Sequence, residues 1–69
     1  MYQKEKMCAN LKELRTKKRK TCAAMADDLG VADATVNRWE KGKREPSIEN
    51  LCMLADYFGI SIDELVGRK

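Results

Sequence analysis

Apolar side chains fall along this chain at helical rather than strand spacing. Met7, Leu11 and Leu14 recur at i, i+4 and i+7 with Cys8 beside them, which predicts an amphipathic helix over about residues 4–18. A second helix is expected over about 22–29, with Met25, Ala26 and Leu29 inward, Thr21 as its N-cap and Gly30 as its stop. A third, over about 33–41, turns Val36 and Trp39 inward at i and i+3, carries Asp33 in its first turn and ends at Gly42. Residues 43–46 read as a polar loop. The fourth helix follows Pro46, with Ser47 as N-cap, Glu49 in the first turn and a buried stripe of Ile48, Leu51, Leu54, Ala55 and Phe58; Gly59 stops it. Ser61 and Glu64 then form an S-x-x-E capping box for a short fifth helix, with Ile62, Leu65 and Val66 packing and Gly67 at its end. No alternating β-branched run exceeds a few residues. The expected fold class is all-α, a compact bundle of five helices.

Composition narrows the reading. At 69 residues the chain has room for one small domain, expected over 1–69. With 43% apolar and 36% charged residues it suits a folded domain better than a disordered tail. No apolar run approaches the roughly 18 residues of a membrane span, and Met1 to Lys6 lacks the apolar stretch of a secretory signal. There is no histidine, and Cys8, Cys22 and Cys52 are odd in number and far apart. That pattern excludes a His-ligated zinc site, argues against a disulfide scaffold and fits a reducing cytoplasm. Cys8 and Cys52, on or beside apolar stripes, are expected to pack. No cofactor or metal is expected. An enzyme is not expected either: there is no glycine-rich phosphate loop, and the adjacent Asp27 and Asp28 diverge by about 100° on a helix.

The formal charge of +3 is only mildly basic, but it is unevenly spread. Residues 1–20 hold eight basic and two acidic side chains, whereas residues 47–66 hold four acidic and no basic ones. The run Lys17, Lys18, Arg19 and Lys20 reads either as cations closing a helix at the negative end of its dipole or as part of a basic surface that the total conceals.

Residues 22–41 carry the functional signal. A helix of eight residues, a glycine turn and a second helix make a helix-turn-helix arrangement. Ala26 is small where the helices must cross, and Gly30 sits where positive φ costs least. Anchoring the second of these helices through Val36 and Trp39 turns Asp33, Ala34, Thr35, Asn37, Arg38 and Lys41 outward. The spacing from Val36 makes Trp39 a core residue rather than a base-stacking one. The string Arg38-Trp39-Glu40-Lys41-Gly42-Lys43 with Pro46-Ser47, set downstream of Ala26 and Gly30, resembles the Cro and lambda-repressor type of helix-turn-helix protein. This is the xenobiotic-response-element family of bacterial and phage regulators. Leu11 to Arg15 and Leu51 to Leu65 extend the resemblance over about residues 7–66, the core of the expected domain.

The resemblance implies a third helix lying in the major groove of double-stranded DNA. The family's base-reading positions map onto Ala32, Asp33, Ala34, Thr35, Asn37 and Arg38. Arg38 suits guanine O6 and N7, and Asn37 suits adenine. Phosphate contacts map onto Thr21 and Cys22 and onto Lys41, Lys43 and Arg44. Arg15 and Glu40 match a structural salt bridge that ties the first helix to the end of the third. The chain departs from the pattern at Cys22, where glutamine is usual, and at Ala32, where a serine or threonine cap is usual. Arg19 and Lys20 stand where glycine and an apolar residue are common. Cys22 reads as a small tolerated substitution, with a redox sensor beside DNA as the sharper alternative.

The expected function is that of a sequence-specific transcriptional regulator, a repressor binding a palindromic operator as a homodimer. Tyr57, Ile60, Ile62 and Val66 in the C-terminal region are the expected dimer surface. The rival reading is an antitoxin-type module whose main partner is a toxin protein. Either would work in the cytoplasm, encoded by a bacterium or a phage, without contact with a membrane.

Overall fold

The computed structural model describes residues 3–68. Met1, Tyr2 and Lys69, which enter the counts above and the expected span of 1–69, lie outside them. The described residues form five helices and no strand: α1 Lys4–Lys17, α2 Cys22–Leu29, α3 Asp33–Lys41, α4 Ile48–Phe58 and α5 Ile62–Leu65. None of these helices is long and apolar enough to cross a membrane.

Local chemistry sets their limits. The Thr21 hydroxyl oxygen accepts from the Ala24 amide at 3.0 Å, and that of Ser47 accepts from Asn50 at 3.1 Å. Each supplies one of the amides a helix start leaves unpaired. Ser61 and Glu64 form the full reciprocal box. All five helices end in one device, a residue with positive φ whose neighbours' amides turn back onto the last carbonyls. Glycine serves at 30, 42, 59 and 67, but α1 uses Arg19 at φ 59°. The Arg19 amide donates to the Thr16 carbonyl at 2.9 Å and that of Lys20 to Arg15 at 3.2 Å. This turn stops α1 at Lys17.

The core joins all five helices: Met7 and Leu11 from α1, Met25 and Ala26 from α2, Val36 and Trp39 from α3, Leu54 and Ala55 from α4, and Leu65 with Val66 at the end of α5. Trp39 is its largest member, only 2% exposed. No polar or charged residue belongs to this cluster; the charges nearest it that are largely shielded, Arg15 and Glu40, are paired with each other. α3 packs against both α1 and α2.

Four expectations are corrected. Ile48 is 80% exposed rather than part of the α4 stripe, which reaches the core only from Leu51 onward. Cys52 is exposed and does not pack; it lies one turn beyond Ile48 on the same outward flank. Val66 is buried and offers no dimer surface, while Tyr57 and Ile60 are half-buried against the core. Of the four expected dimer residues only Ile62, 38% exposed, is open to solvent. Pro46, expected in a polar loop, is buried.

Candidate nucleic-acid interface

α3 presents one face inward and the other to solvent because its apolar residues are only Val36 and Trp39, apart from Ala34. Ala32, Asp33, Ala34, Asn37, Arg38 and Lys41 are exposed. Thr35 is half-buried, nearer the core than its expected outward position. Ala32 supplies no side-chain cap, so the helix is opened by its carbonyl alone, which accepts from the Thr35 amide at 2.9 Å. Asp33 in the first turn compensates by facing the positive helix end. The structure thus brings five of the six expected base-reading residues onto the start and outer side of one helix, with Thr35 turned partly toward the core.

Two basic or donor-rich segments flank that helix. At the start of α2, the Thr21 oxygen is used in the cap, which leaves its hydroxyl proton free to donate outward. After α3, the chain turns at Gly42, whose φ of 73° lets the Lys43 amide fold back onto the Arg38 carbonyl at 3.0 Å. The turn leaves Lys41, Lys43 and Arg44 exposed together at the end of the helix.

Arg15 holds these segments in register. Its Nε donates to Glu40 Oε2 at 2.7 Å and its Nη2 to Oε1 at 3.2 Å, a bidentate pair between α1 and α3. Its Nη1 donates to the Lys20 carbonyl at 2.7 Å, fixing the chain just before the Thr21 cap. The side chains are only 15% and 7% exposed, and the bond to Glu40 holds the guanidinium more firmly protonated than usual, against the pull of burial. Cys22 Sγ lies 4.0 Å from Glu40 Oε1, beside this bridge rather than out on the surface.

Three of the four cations at the end of α1 and just after it meet partners within the chain at its surface. Lys17 pairs with Glu13 on the same exposed helix face at 3.3 Å. The Lys20 ammonium lies 3.1 Å from Asp28 Oδ2, and that carboxylate also accepts the Tyr57 hydroxyl. Lys18 sits over the Tyr57 ring, 4.7 Å from its centre. One positioning residue was missed from the sequence. Asn10 Nδ2 donates to the carbonyls of Glu64 and Leu65, both at 3.2 Å, and so ties α1 to the end of α5. The available signal was an asparagine in mid-helix, where it is a poor helix former and needs another reason to be there.

A short helix, a glycine turn and a second helix exposed along one side, braced by a third, define a helix-turn-helix protein. Residues 11–65 match the helix-turn-helix family, and the chain belongs to it. It is 49% identical over 59 residues to the HTH-type transcriptional regulator AnsR of Bacillus subtilis (strain 168), covering 86% of this chain and 51% of AnsR. It is 47% identical over 49 residues to the cryptic phage CTXphi transcriptional repressor RstR of Vibrio cholerae, covering 71% of this chain and 44% of RstR. The chain therefore spans about half the length of these relatives. Among solved structures, a transcriptional regulator from Listeria innocua superimposes with a TM-score of 0.84 at 37% identity, over 97% of this chain and 60% of that one.

Proposed function

We propose that this chain is the DNA-reading part of a transcriptional regulator, a repressor that binds a two-fold operator as a homodimer in the cytoplasm and catalyses no reaction. One observation carries the reading. α3 is pinned by Val36 and Trp39 and by the Arg15–Glu40 bridge, while its outer side, from Ala32 to Arg38, is left exposed between two flanking donor segments. A helix fits the major groove, and an exposed guanidinium and carboxamide on its outer side are suited to base edges. Thr21, Lys41, Lys43 and Arg44 are then the side chains set to meet phosphates on either side, whereas Cys22, turned toward Glu40, would contribute through its backbone amide. The names of AnsR and RstR, a regulator and a repressor, support the class of function. Ile62, exposed at the head of α5, supports a dimer contact in the C-terminal region.

Selection of bound sequences from random DNA tests the reading, with a palindromic consensus as the expected result. Arg38→Ala is expected to cost about 1–3 kcal/mol and to relax preference at one base position. Lys43→Ala is expected to weaken all sequences alike and to lower the salt slope by about one. If Arg38→Ala changes neither affinity nor preference, α3 does not read the groove.

A further inference from the structure

Lys4 opens α1, far along the chain from the turn that follows α3, yet the fold sets it against that turn. A Cβ placed on Gly42 would lie 3.2 Å from Lys4 Cε, 3.9 Å from its Nζ and 3.5 Å from Cys8 Sγ. Lys4 and Lys41 line one open depression of about 350 Å³ together with Glu5, Cys8, Glu40 and Gly42. Both lysines are exposed. Gly42 closes the C-terminal end of α3, where the negative end of a helix dipole favours an ammonium.

The opposing charges are few. Glu40 is committed to Arg15, so its carboxylate is already neutralised. Glu5 and Glu45 remain close enough to act on the Cys8 thiol, as Lys4 does. Lys4 with Lys41, Lys43 and Arg44 outnumbers them four to two. A basic surface therefore continues across the end of α3 onto the start of α1, joining two segments that the sequence keeps apart.

We propose that Lys4 makes a further phosphate contact, so that the start of α1 and the turn after α3 grip the DNA backbone as one composite clamp. This rests on the DNA-reading function proposed above. The cation acts on the backbone and carries no base preference. It is a contact of the long-range, salt-sensitive kind.

Equilibrium binding of the full chain to its selected DNA, measured from about 50 to 200 mM salt, tests it. One phosphate contact fewer makes the loss of affinity over that range about 3.5-fold smaller. Lys4→Gln is expected to show this reduction with an unchanged base consensus, and Lys4→Arg to restore the parent slope. Lys6→Gln serves as the control. Lys6 lies on the other flank of α1, beside Gly67 and a groove shared with α5, and its loss should leave the slope alone. A purely structural role for Lys4 would lower the melting temperature without altering the slope, and that result overturns the proposal. So does a Lys4→Gln slope equal to the parent's in an assay where Lys43→Ala lowers it. A parent chain that binds no DNA sequence overturns the reading beneath and this contact with it.

Discussion

Arg19 takes at the end of α1 the conformation that the other four helices give to glycine, with φ at 59°. A side chain there crowds its own backbone by about 1–2 kcal/mol, and glycine would relieve this at the expense of extra freedom in the unfolded chain. Arg19→Gly is therefore expected to stabilise the fold by about 0.5–1 kcal/mol, seen as a higher midpoint in urea with an unchanged m-value. Arg19 is exposed and donates no side-chain bond among those observed, so the change isolates the backbone. In the sequence, Arg19 reads as one of four successive cations. Only the family's habit of placing glycine there marks it. The conformation itself was not legible, because a left-handed residue is set by the turn that must follow and not by the side chain that occupies it.

Among elements, α2 and α4 are linked across the α1–α2 connection by Lys20, Asp28 and Tyr57. Burial first, and then the bond to Asp28, pushes the Tyr57 phenol from its ordinary 10.0 up to about 12. Between those values the unfolded chain has released a proton that the folded chain still holds. The contribution of Tyr57 to stability is thus constant below pH 10 and falls as pH rises toward about 12. Asp28 behaves in the opposite sense. The Tyr57 hydroxyl and then Lys20 hold its carboxyl below the usual range, so its contribution is present above that range and fades as pH falls through it. Absorbance titration of tyrosinate, with Tyr57→Phe as the baseline, checks the link. Asp28→Asn is expected to lower the Tyr57 transition while burial keeps it above the ordinary value; an unmoved transition would show that the carboxylate plays no part. Helix positions and caps were legible because periodicity and Thr21, Ser47, Ser61 and the glycines act locally. Ile48 and Cys52 were misread because a stripe gives a face, not how far along the helix the neighbouring elements cover it. The Asn10 tie to α5 was missed because its acceptors are backbone carbonyls, which no side-chain pattern announces.

For the whole molecule, the eight basic residues of the first twenty and the acid-only stretch 47–66 would suggest two oppositely charged ends. The fold modifies this by spending Lys17, Lys18 and Lys20 on internal partners. Arg38, Lys41, Lys43 and Arg44 are exposed at the candidate interface, and Lys4 lies beside Gly42 there. A dimer of such heads needs half-sites on one side of the duplex, about 34 Å apart. Moving one half-site by about five base pairs, half a turn, is expected to reduce affinity to that of a single half-site; equal affinity at both spacings would mean that each head binds alone. The buried anchor of α3 has a use of its own. Trp39 is the only tryptophan in the chain, and it is buried on the same helix that leaves Arg38 exposed. Its indole is shielded from water in the folded state and exposed when the core opens, so its fluorescence follows the seating of α3 without an attached dye. The residue that holds α3 in place is also its optical gauge.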